Sequence, residues 1–201
     1  NYIEDIQLTV KYKEPETNPF PQTSVYDLVI IAPEAFESEL QKLINHKEAM
    51  GITTTLKTTE DIYNEYTGFD KPEQIKYFIK DALETWDMSY VLIVGGLNSL
   101  LNGKPRDNKN EGTKDWHVPV RYTNTREAQG GTYDPGYISD LYYADIFDGE
   151  GNFQSWDSND DGIYAQWKSI GGRDIMDFWP DVYLGRLACR NVWEVKIMTR
   201  W

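Results

Sequence analysis

The residues of this chain best suited to chemistry form one acidic loop, Asp157 to Ile163, with the sequence D-S-N-D-D-G-I. Asp157, Asn159 and Asp161 alternate, so a tight turn can aim their side-chain oxygens at one point. Gly162 permits a sharp backbone turn, and the carbonyl of Ile163 adds a fourth oxygen. Oxygen ligands of this kind favour a hard cation such as Ca²⁺. The predicted calcium ligands are therefore Asp157, Asn159, Asp161 and Ile163.

The second half of this loop departs from a complete EF-hand. The twelfth position is Lys168, where an EF-hand needs a bidentate glutamate. The remaining ligands would then have to come from Gln166, from Asp148 or Asp145, or from water. The alternative is a turn rich in Asp and Asn whose side chains bind the backbone and hold no ion.

The chain has a single cysteine, Cys189, and two histidines, His46 and His117. One cysteine excludes an intrachain disulfide, and two histidines are too few for a histidine-rich zinc site. A cysteine nucleophile needs a neighbouring base or another group that lowers its pKa. Cys189 follows apolar residues near the end of a predicted strand, where a buried, inert thiol is the commoner case. No residue of the chain is therefore assigned a catalytic role.

Nucleotide binding and serine hydrolysis are both disfavoured by the glycine pattern. Gly95 and Gly96 end a predicted strand where α/β proteins often bind ligands. They lack the G-x-G-x-x-G and Walker patterns, so a simple tight turn is the expectation. The chain contains no G-x-S-x-G, the sequence of a serine-hydrolase elbow. No cofactor-binding residue is assigned.

These candidate residues depend on an alternation of strands and helices that begins at Tyr26. Two continuous apolar runs, Y-D-L-V-I-I-A and Y-V-L-I-V-G-G, are typical of strands buried on both faces. Between them lies I-T-T-T-L-K-T, whose β-branched residues favour a third strand. Apolar residues repeat at helical spacing from Phe36 to Met50 and from Ile75 to Trp86. This order predicts right-handed crossovers and an open, mainly parallel sheet with flanking helices.

The segment after the third strand is harder to interpret. Residues 98–136 are irregular and polar, and only V-P-V-R-Y within them resembles a strand. So long a segment is usually functional or mobile, and the alternative is a solvated excursion. The following S-D-L-Y-Y-A-D-I is predicted to form a strand. On a regular strand Asp140 and Asp145 would point to opposite faces, so they could not act as a catalytic pair.

A further strand is predicted over Asp181–Leu187, followed by a helix that begins after Asn191. Asn191 and Glu194 have the spacing of a capping box. Arg186 lies within the strand, where an arginine needs a carboxylate partner. Asp181 and Asp140 are the two candidates for a structural ion pair.

Composition narrows the possible partners. There are 33 acidic and 20 basic residues, so the formal net charge is −13 and phosphate would repel the chain. We therefore expect no nucleic-acid partner. No apolar run approaches the roughly 18 residues needed to cross a membrane, so no membrane span is expected.

The ends of the chain predict its organisation. Residues 1–22 are expected to form an N-terminal strand and linker, the tail of a preceding pro-segment or domain. Residues 23–201 are expected to form one α/β unit that is incomplete at its C-terminus. The sequence stops within a predicted helix, where a parallel sheet normally returns to another strand. We therefore expect a piece of a longer protein.

Six motifs in this order resemble the gingipain-type cysteine peptidases, family C25. They are Y-D-L-V-I-I-A-P, K-E-A-M-G-I, V-L-I-V-G-G, S-D-L-Y-Y-A-D, W-D-S-N-D-D-G-I-Y and P-D-V-Y-L-G-R-L-A-C-R, from about Tyr26 to the C-terminus. The resemblance implies a caspase-like α/β catalytic domain in two subdomains, of which this chain resembles only the first. It also implies secretion, an N-terminal pro-segment and stabilisation by calcium. Gln166 stands where relatives often carry a glutamate.

The resemblance places the family's catalytic pair outside this chain. That pair is a histidine followed by glycine and a later cysteine, both in the second subdomain. His117 is followed by Val118, and Cys189 precedes the catalytic half, so neither residue matches.

The sequence thus predicts a Ca²⁺-stabilised, non-catalytic scaffold of an extracellular cysteine endopeptidase. The full-length protein would cleave a polypeptide substrate through an acyl-enzyme, with histidine as acid and base. The second catalytic subdomain and the pro-segment would be the chain's partners in cis. Two alternatives stay open: a catalytically dead caspase-like module for surface adhesion or assembly, and a flavodoxin-like binding domain.

Overall fold

The structure is a computed structural model that describes residues 25–103, 111–112, 114–123, 137–166 and 173–200. The predicted N-terminal strand and linker, residues 1–22, lie outside these residues, as does Lys168. The strands are β1 (Leu28–Ala32), β2 (Thr54–Thr58), β3 (Tyr90–Val94), β4 (Glu111–Gly112), β5 (Val120–Thr123), β6 (Tyr137–Ile138) and β7 (Tyr183–Leu187). The α-helices are α1 (Glu37–Ala49), α2 (Thr59–Glu65), α3 (Lys71–Trp86), α4 (Leu141–Ala144) and α5 (Val192–Met198). A 3₁₀ turn, Glu34–Phe36, precedes α1.

Four strands form the predicted parallel sheet, in the order β2-β1-β3-β7. All three neighbouring pairs are parallel, and Ile30 of β1 is in register with Leu56 of β2 and Leu92 of β3. Every residue of β1 is buried, which explains its continuous apolar sequence. In β7, by contrast, each residue is half-buried or exposed. The predicted fold class, α/β with a parallel sheet and flanking helices, is confirmed.

The side chains of β1 alternate between two hydrophobic cores. Val29 and Ile31 belong to a core that also holds the apolar face of α3, including Phe78. Leu28 and Ile30 belong to the opposite core, which the helices α1 and α5 cover. Because neighbouring strand residues point to opposite faces, one strand contributes to both layers.

Two helices, α3 and α5, begin at side-chain caps. Asp70 caps α3 by accepting a hydrogen bond from Glu73 N at 3.0 Å, and Pro72 lies in the first turn. Asn191 caps α5 in the same way, accepting from Glu194 N at 2.9 Å. The glutamate carboxylate accepts from Arg190 N and not from the cap's own N–H, so the reciprocal half of the capping box is displaced by one residue.

A second, antiparallel sheet joins β4, β5 and β6. Its central strand, β5, overlaps the predicted V-P-V-R-Y strand and extends one residue further, to Thr123, and all four of its residues are buried. The irregular segment therefore contributes an ordered strand to the fold. The same segment also contributes β4, whereas its described residues 98–103 carry no helix and no strand.

The predicted strand over residues 139–146 is wrong, because the chain forms the single helical turn α4 there. Asp140 and Asp145 flank this turn instead of alternating along a strand. The reason lies in the two central tyrosines, which are both fully buried and form an edge-to-face pair with ring centroids 5.3 Å apart. A strand would have sent Tyr142 and Tyr143 to opposite faces, whereas the turn buries both.

Candidate functional site

The acidic loop folds around its own carboxylates. Asp157 Oδ1 accepts a hydrogen bond from Asp161 N at 3.0 Å, and its Oδ2 accepts one from Gly162 N at 2.8 Å. Asn159 Oδ1 also accepts from Asp161 N, at 3.1 Å, and Asp161 Oδ1 accepts from Ile163 N at 2.8 Å. Gly162 has a φ of +74°, which glycine adopts without strain. The structure thus brings the predicted ligand residues together in one turn.

Asp174 lies outside the acidic loop in sequence and closes it by hydrogen bonds. Its Oδ1 accepts hydrogen bonds from Ser158 N at 2.9 Å and from Ser158 Oγ at 3.2 Å. Its Oδ2 accepts a hydrogen bond from Gln166 N at 2.6 Å. Sequence reasoning missed this residue, because Asp174 lies outside the alternating pattern and no spacing rule connects it to the loop.

The oxygens of the loop are of the type that a hard cation prefers. Burial raises the pKa of the Asp157 carboxyl, although backbone hydrogen bonds oppose the shift, and the nearby Asp174 and Asp161 raise it further. A cation would offset this crowding of negative charge. The Gln166 side-chain oxygen is buried without a hydrogen-bond partner in the described structure, and it lies in the segment that follows the loop.

The ligand set is nevertheless incomplete within the described residues. No three His, Cys, Asp or Glu side chains among them are grouped so as to hold a metal ion. The hydrogen bonds that shape the loop suit both sequence-based predictions, an oxygen-lined cation site and an ion-free turn. Calcium therefore stays a proposal.

The residues on either side of the loop reach into a buried charged cluster. Arg121 of β5 forms a two-pronged ion pair with Asp70, with nitrogen–oxygen distances of 2.6 and 2.7 Å. The arginine side chain is 0% exposed and the aspartate side chain 2%. The guanidinium carbon lies 3.5 Å from the centroid of the Tyr164 ring and 4.5 Å from that of Tyr142. This pair joins β5 to the start of α3, and the Tyr164 ring packs the segment after the loop against it.

Lys76 of α3 is a second buried cation in this cluster, with no exposed surface. Its Nζ donates a hydrogen bond to the carbonyl of Gln154 and lies 4.4 Å from the ring centroid of Tyr142. The rings of Phe153 and Trp156 also face it, at 5.4 and 5.5 Å. Burial lowers the pKa of Lys76 from 10.5 to about 7.

Asp145, at the end of α4, is a buried carboxylate whose charge acts on Lys76. Its Oδ2 accepts a hydrogen bond from Trp156 Nε1 at 2.9 Å, while Oδ1 has no partner among the described residues. Burial raises the pKa of Asp145 from 3.8 to about 6, although the hydrogen bond and the charge of Lys76 act against the shift.

Arg186 has the carboxylate partner that the sequence required. Its Nε and Nη2 donate to the two oxygens of Asp140 at 2.7 and 2.8 Å, so this candidate partner is confirmed. The same guanidinium donates to three backbone carbonyls, those of Gly95, Val118 and Pro119. Asp181, the other candidate, instead accepts from two backbone N–H groups after α4. Arg186 thus ties β7 to β3 and to the approach to β5.

His117 and Cys189 both form backbone hydrogen bonds with Gly96, just after the C-terminal end of β3. Gly96 N donates to the Cys189 carbonyl at 2.8 Å, and His117 N donates to the Gly96 carbonyl at 3.0 Å. The His117 Nε2 binds the Arg190 carbonyl at 2.8 Å. The thiol is buried, and burial raises the pKa of Cys189, with Glu194 adding to the shift. The predicted burial of this thiol is confirmed, and a raised pKa lowers the fraction of thiolate, the form in which a cysteine is nucleophilic.

The two glycines at this strand end permit close packing. A Cβ on Gly96 would lie 2.6 Å from the Ala188 carbonyl oxygen, and a Cβ on Gly95 would lie 2.9 Å from the Val118 side chain. Gly95 also has a φ of +152°. Both positions therefore need glycine because neighbouring chain segments press against the end of β3.

Comparison with known proteins defines the class to which this fold and these motifs belong. The sequence model of peptidase family C25 matches residues 22–200, so the chain belongs to that family. This confirms the resemblance seen in the motifs. Gingipain R2 of Porphyromonas gingivalis is 28% identical over 97 residues, which cover 46% of this chain and 13% of that protein.

Two solved structures are similar to this chain. Dimeric latent PorU from Porphyromonas gingivalis has a TM-score of 0.54 and 17% identity, covering 87% of this chain and 15% of that one. The complex of the Porphyromonas gingivalis RgpB pro- and mature domains has a TM-score of 0.46 and 20% identity, covering 86% of this chain and 27% of that one. The likeness to PorU supports the fold alone. The chain spans 13% of gingipain R2 and 15% of PorU, a small part of each.

The sequence predicts no membrane-spanning segment. None of the helices in the described part of the chain combines the length and the apolar character that a bilayer crossing needs.

Proposed function

We propose that this chain is the non-catalytic scaffold of a secreted, gingipain-type cysteine endopeptidase. The observation that carries the proposal is the match to peptidase family C25 across residues 22–200. The full-length protein would cleave polypeptides through an acyl-enzyme formed by a cysteine, with a histidine as acid and base. Extracellular location, a pro-segment and a second catalytic subdomain in cis are part of this proposal and rest on family membership.

The chemistry of the described residues supports a scaffold role. Cys189 is buried with a raised pKa, and the His117 Nε2 is engaged by a backbone carbonyl. A cysteine peptidase needs the opposite state, an accessible thiolate paired with a free imidazole. The catalytic cysteine and histidine would therefore come from the second subdomain.

The edge of the parallel sheet supports an assembly role for β7. In the described structure this strand pairs only with β3, so its outer backbone groups face away from the sheet. Tyr183 is exposed and stacks on Tyr90, with ring centroids 5.3 Å apart. Parallel sheets are normally covered on both faces, so a half-exposed edge strand suits packing by the second subdomain.

Calcium is the second part of the proposal. Asp157, Asn159 and Asp161 would bind the ion through side-chain oxygens, and Ile163 through its carbonyl. The bound charge would neutralise the crowded carboxylates and hold the loop rigid between Trp156 and Tyr164. The clustering of Asp157 and Asp174 around one turn supports this role.

A melting experiment tests the calcium site. We expect 1 mM-range Ca²⁺ to raise the melting temperature of the chain above its value in EDTA, by about 3–4 °C if the ion is held at about tenfold its dissociation constant. Asp161→Asn should abolish most of this rise. The matched control is Asp87→Asn, an aspartate that ends α3 far from the loop in sequence. Equal melting temperatures with Ca²⁺ and with EDTA would refute the site.

An activity assay tests whether the catalytic residues lie outside this chain. The chain of 201 residues should show no turnover of a fluorogenic peptide library. A longer protein that includes the downstream sequence should cleave peptides and should keep that activity in Cys189→Ala. Loss of activity in this variant would place the nucleophile here and overturn the proposal. A folded but inactive longer protein would instead indicate a non-catalytic module.

A further inference from the structure

A strip of the parallel sheet, on the face that α1 and α5 cover, is bare within the described residues. Leu92 of the inner strand β3 is half-buried, although its register partner on β1, Ile30, is fully buried. Parallel sheets are normally covered on both faces. The strip forms the floor of an open groove of about 430 Å³, here called the β3–β7 groove. Its lining is mainly apolar and includes Leu28, Ile52, Tyr90, Leu92, Tyr183 and Gly185.

Neither backbone strain nor crowding within the described residues requires the glycine at position 185. Its φ is not positive, and β7 pairs with β3 in an unbroken register, so Gly185 is not at a bulge. Nothing in the described structure lies within 4 Å of the position that a Cβ would occupy there. A glycine inside a strand weakens the strand and often marks a place where another backbone or a ligand approaches closely. Gly185 therefore indicates that another segment rests on the groove.

Two stacked tyrosines, Tyr183 of β7 and Tyr90 of β3, add aromatic surface to the same groove. Their ring centroids lie 5.3 Å apart, and the rings are nearly parallel, at 22°. Tyr183 is 73% exposed in the described structure. Exposed aromatic surface that is continuous with an apolar groove is typical of a surface that another segment covers.

The N-terminal residues join the described part of the chain beside this groove. The described part begins at Val25, whose N–H donates to the Trp86 carbonyl at 2.9 Å. Two residues later the Asp27 carbonyl accepts from Tyr90 N at 3.0 Å, so the lead-in to β1 contacts a residue of the groove. Residues 1–24 precede this lead-in, and residues 13–24 alone can span roughly 40 Å when extended. The N-terminal residues are therefore near enough and long enough to cover the groove.

The sequence of residues 6–13 suits an apolar groove. Four apolar residues alternate there with four polar ones, Ile6, Leu8, Val10 and Tyr12 with Gln7, Thr9, Lys11 and Lys13. Alternate side chains of an extended backbone share one face, so one face of this run is apolar and the other polar. An extended run of this kind needs apolar surface to cover, and the β3–β7 groove offers such a surface.

We propose that residues 6–12 lie extended over the β3–β7 groove, with Ile6, Leu8 and Val10 facing its floor and their backbone passing over Gly185. The N-terminal segment is then a layer of this sheet, because it covers the apolar surface of β3 and β7 that α1 and α5 leave bare. This assignment goes beyond the proposed function, since it requires neither peptidase activity nor calcium.

Nuclear Overhauser effects in the wild-type chain test this contact without any variant. The methyl groups of Ile6, Leu8 and Val10 should show Overhauser effects to the ring protons of Tyr90 and Tyr183. Absence of these effects from an assigned spectrum would overturn the proposal. A sample that mixes labelled and unlabelled chains identifies the source of the contact. Effects between different chains would assign the groove to a second copy and would also overturn the proposal.

Amide hydrogen exchange of residues 6–12 measures how firmly the groove holds them. In the wild-type chain we expect exchange at least about tenfold slower than the intrinsic rate. Leu8→Asp should remove this protection, because a carboxylate is costly to bury on an apolar floor. Thr9→Asp is the matched control, since it adds the same charge on the polar face and should keep the protection. Equal loss in both variants, or no protection in the wild-type chain, would refute the docking.

Gly185→Val distinguishes a covered groove from an empty one. In an empty groove valine has space and suits a strand, so the exchange of residues 6–12 should not change. Under a docked backbone the new side chain should displace the segment, and exchange should approach the intrinsic rate. Gly149→Val is the control, because a Cβ at Gly149 also meets nothing within 4 Å in the described structure. Unchanged exchange in Gly185→Val, or an equal rise in both variants, would overturn the proposal.

Discussion

The face of the sheet covered by α1 and α5 can be compared with the face covered by α3, α4 and residues 145–166. The first face is an aliphatic core in which side chains such as Ile30, Leu40 and Val195 are fully buried. The second face combines an apolar core with two buried cations, Lys76 and Arg121. The same strands thus separate a simple core from one with internal charge.

The two faces of the sheet differ in the kind of structure that covers them. Helices α1 and α5 cover most of the aliphatic face, with Phe36 of the 3₁₀ turn beside them, and helix amphipathicity is enough to specify most of this cover. An irregular segment covers much of the charged face, and its backbone carbonyls and polar side chains need partners in the interior. Lys76 supplies one of these partners, because its Nζ donates to the Gln154 carbonyl, so this charge accompanies the use of a loop as a structural layer.

Of the substitutions considered, Arg121→Met on the charged face should lower the free energy of unfolding most. It would leave Asp70 buried without its partner, and we expect a loss of about 3–5 kcal/mol in the free energy of unfolding. Urea unfolding followed by tryptophan fluorescence measures this loss. Adding Asp70→Asn should restore part of the stability, because the buried charge is then removed.

The matched control is Lys57→Met, which breaks a surface pair with Glu65. That pair has a nitrogen–oxygen distance of 2.6 Å, but its side chains are 21% and 52% exposed. A loss below about 1 kcal/mol is expected there. If the two single variants lost similar stability, burial of the Arg121 pair would not be the deciding factor.

Leu40→Ala should have a somewhat smaller effect on the aliphatic face. Leu40 is fully buried on α1, and its truncation should cost about 2–5 kcal/mol through lost transfer energy and a residual cavity. Chemical denaturation at two pH values sharpens the comparison, since this loss should not vary between pH 5 and 8. Met50→Ala, at an exposed position, is the control and should change stability by less than about 0.5 kcal/mol. A pH-dependent loss in Leu40→Ala would indicate that titrating groups reach this face.

The regular layers could be predicted from the sequence because periodicity and burial agree there. β1 and β3 are continuous apolar runs and occupy the middle of the sheet. The buried face of α3 follows the apolar spacing that the sequence shows from Ile75 to Trp86. α4 could not be predicted this way, because Tyr142 and Tyr143 have high strand propensity and only their tertiary contacts favour a turn.

The candidate site was predictable only in part for a similar reason. The alternation of Asp157, Asn159 and Asp161 is local, so the turn could be located from the sequence. Asp174 joins this turn through long-range contacts that leave no local pattern. No local pattern marks Lys76 as buried, because lysine is almost never fully buried.

Cys189 offers the smallest and most selective test of the comparison, because it lies in the aliphatic core at the end of β7. Cys189→Ala removes one sulfur atom and should cost about 1 kcal/mol or less. Cys189→Ser places a hydroxyl in the same space, and burying it without a good acceptor should cost about 1–3 kcal/mol. Differential urea unfolding of the two variants measures the gap. If serine were tolerated as well as alanine, this face would accept polar groups as readily as the charged face does, and the contrast between the two faces would be lost.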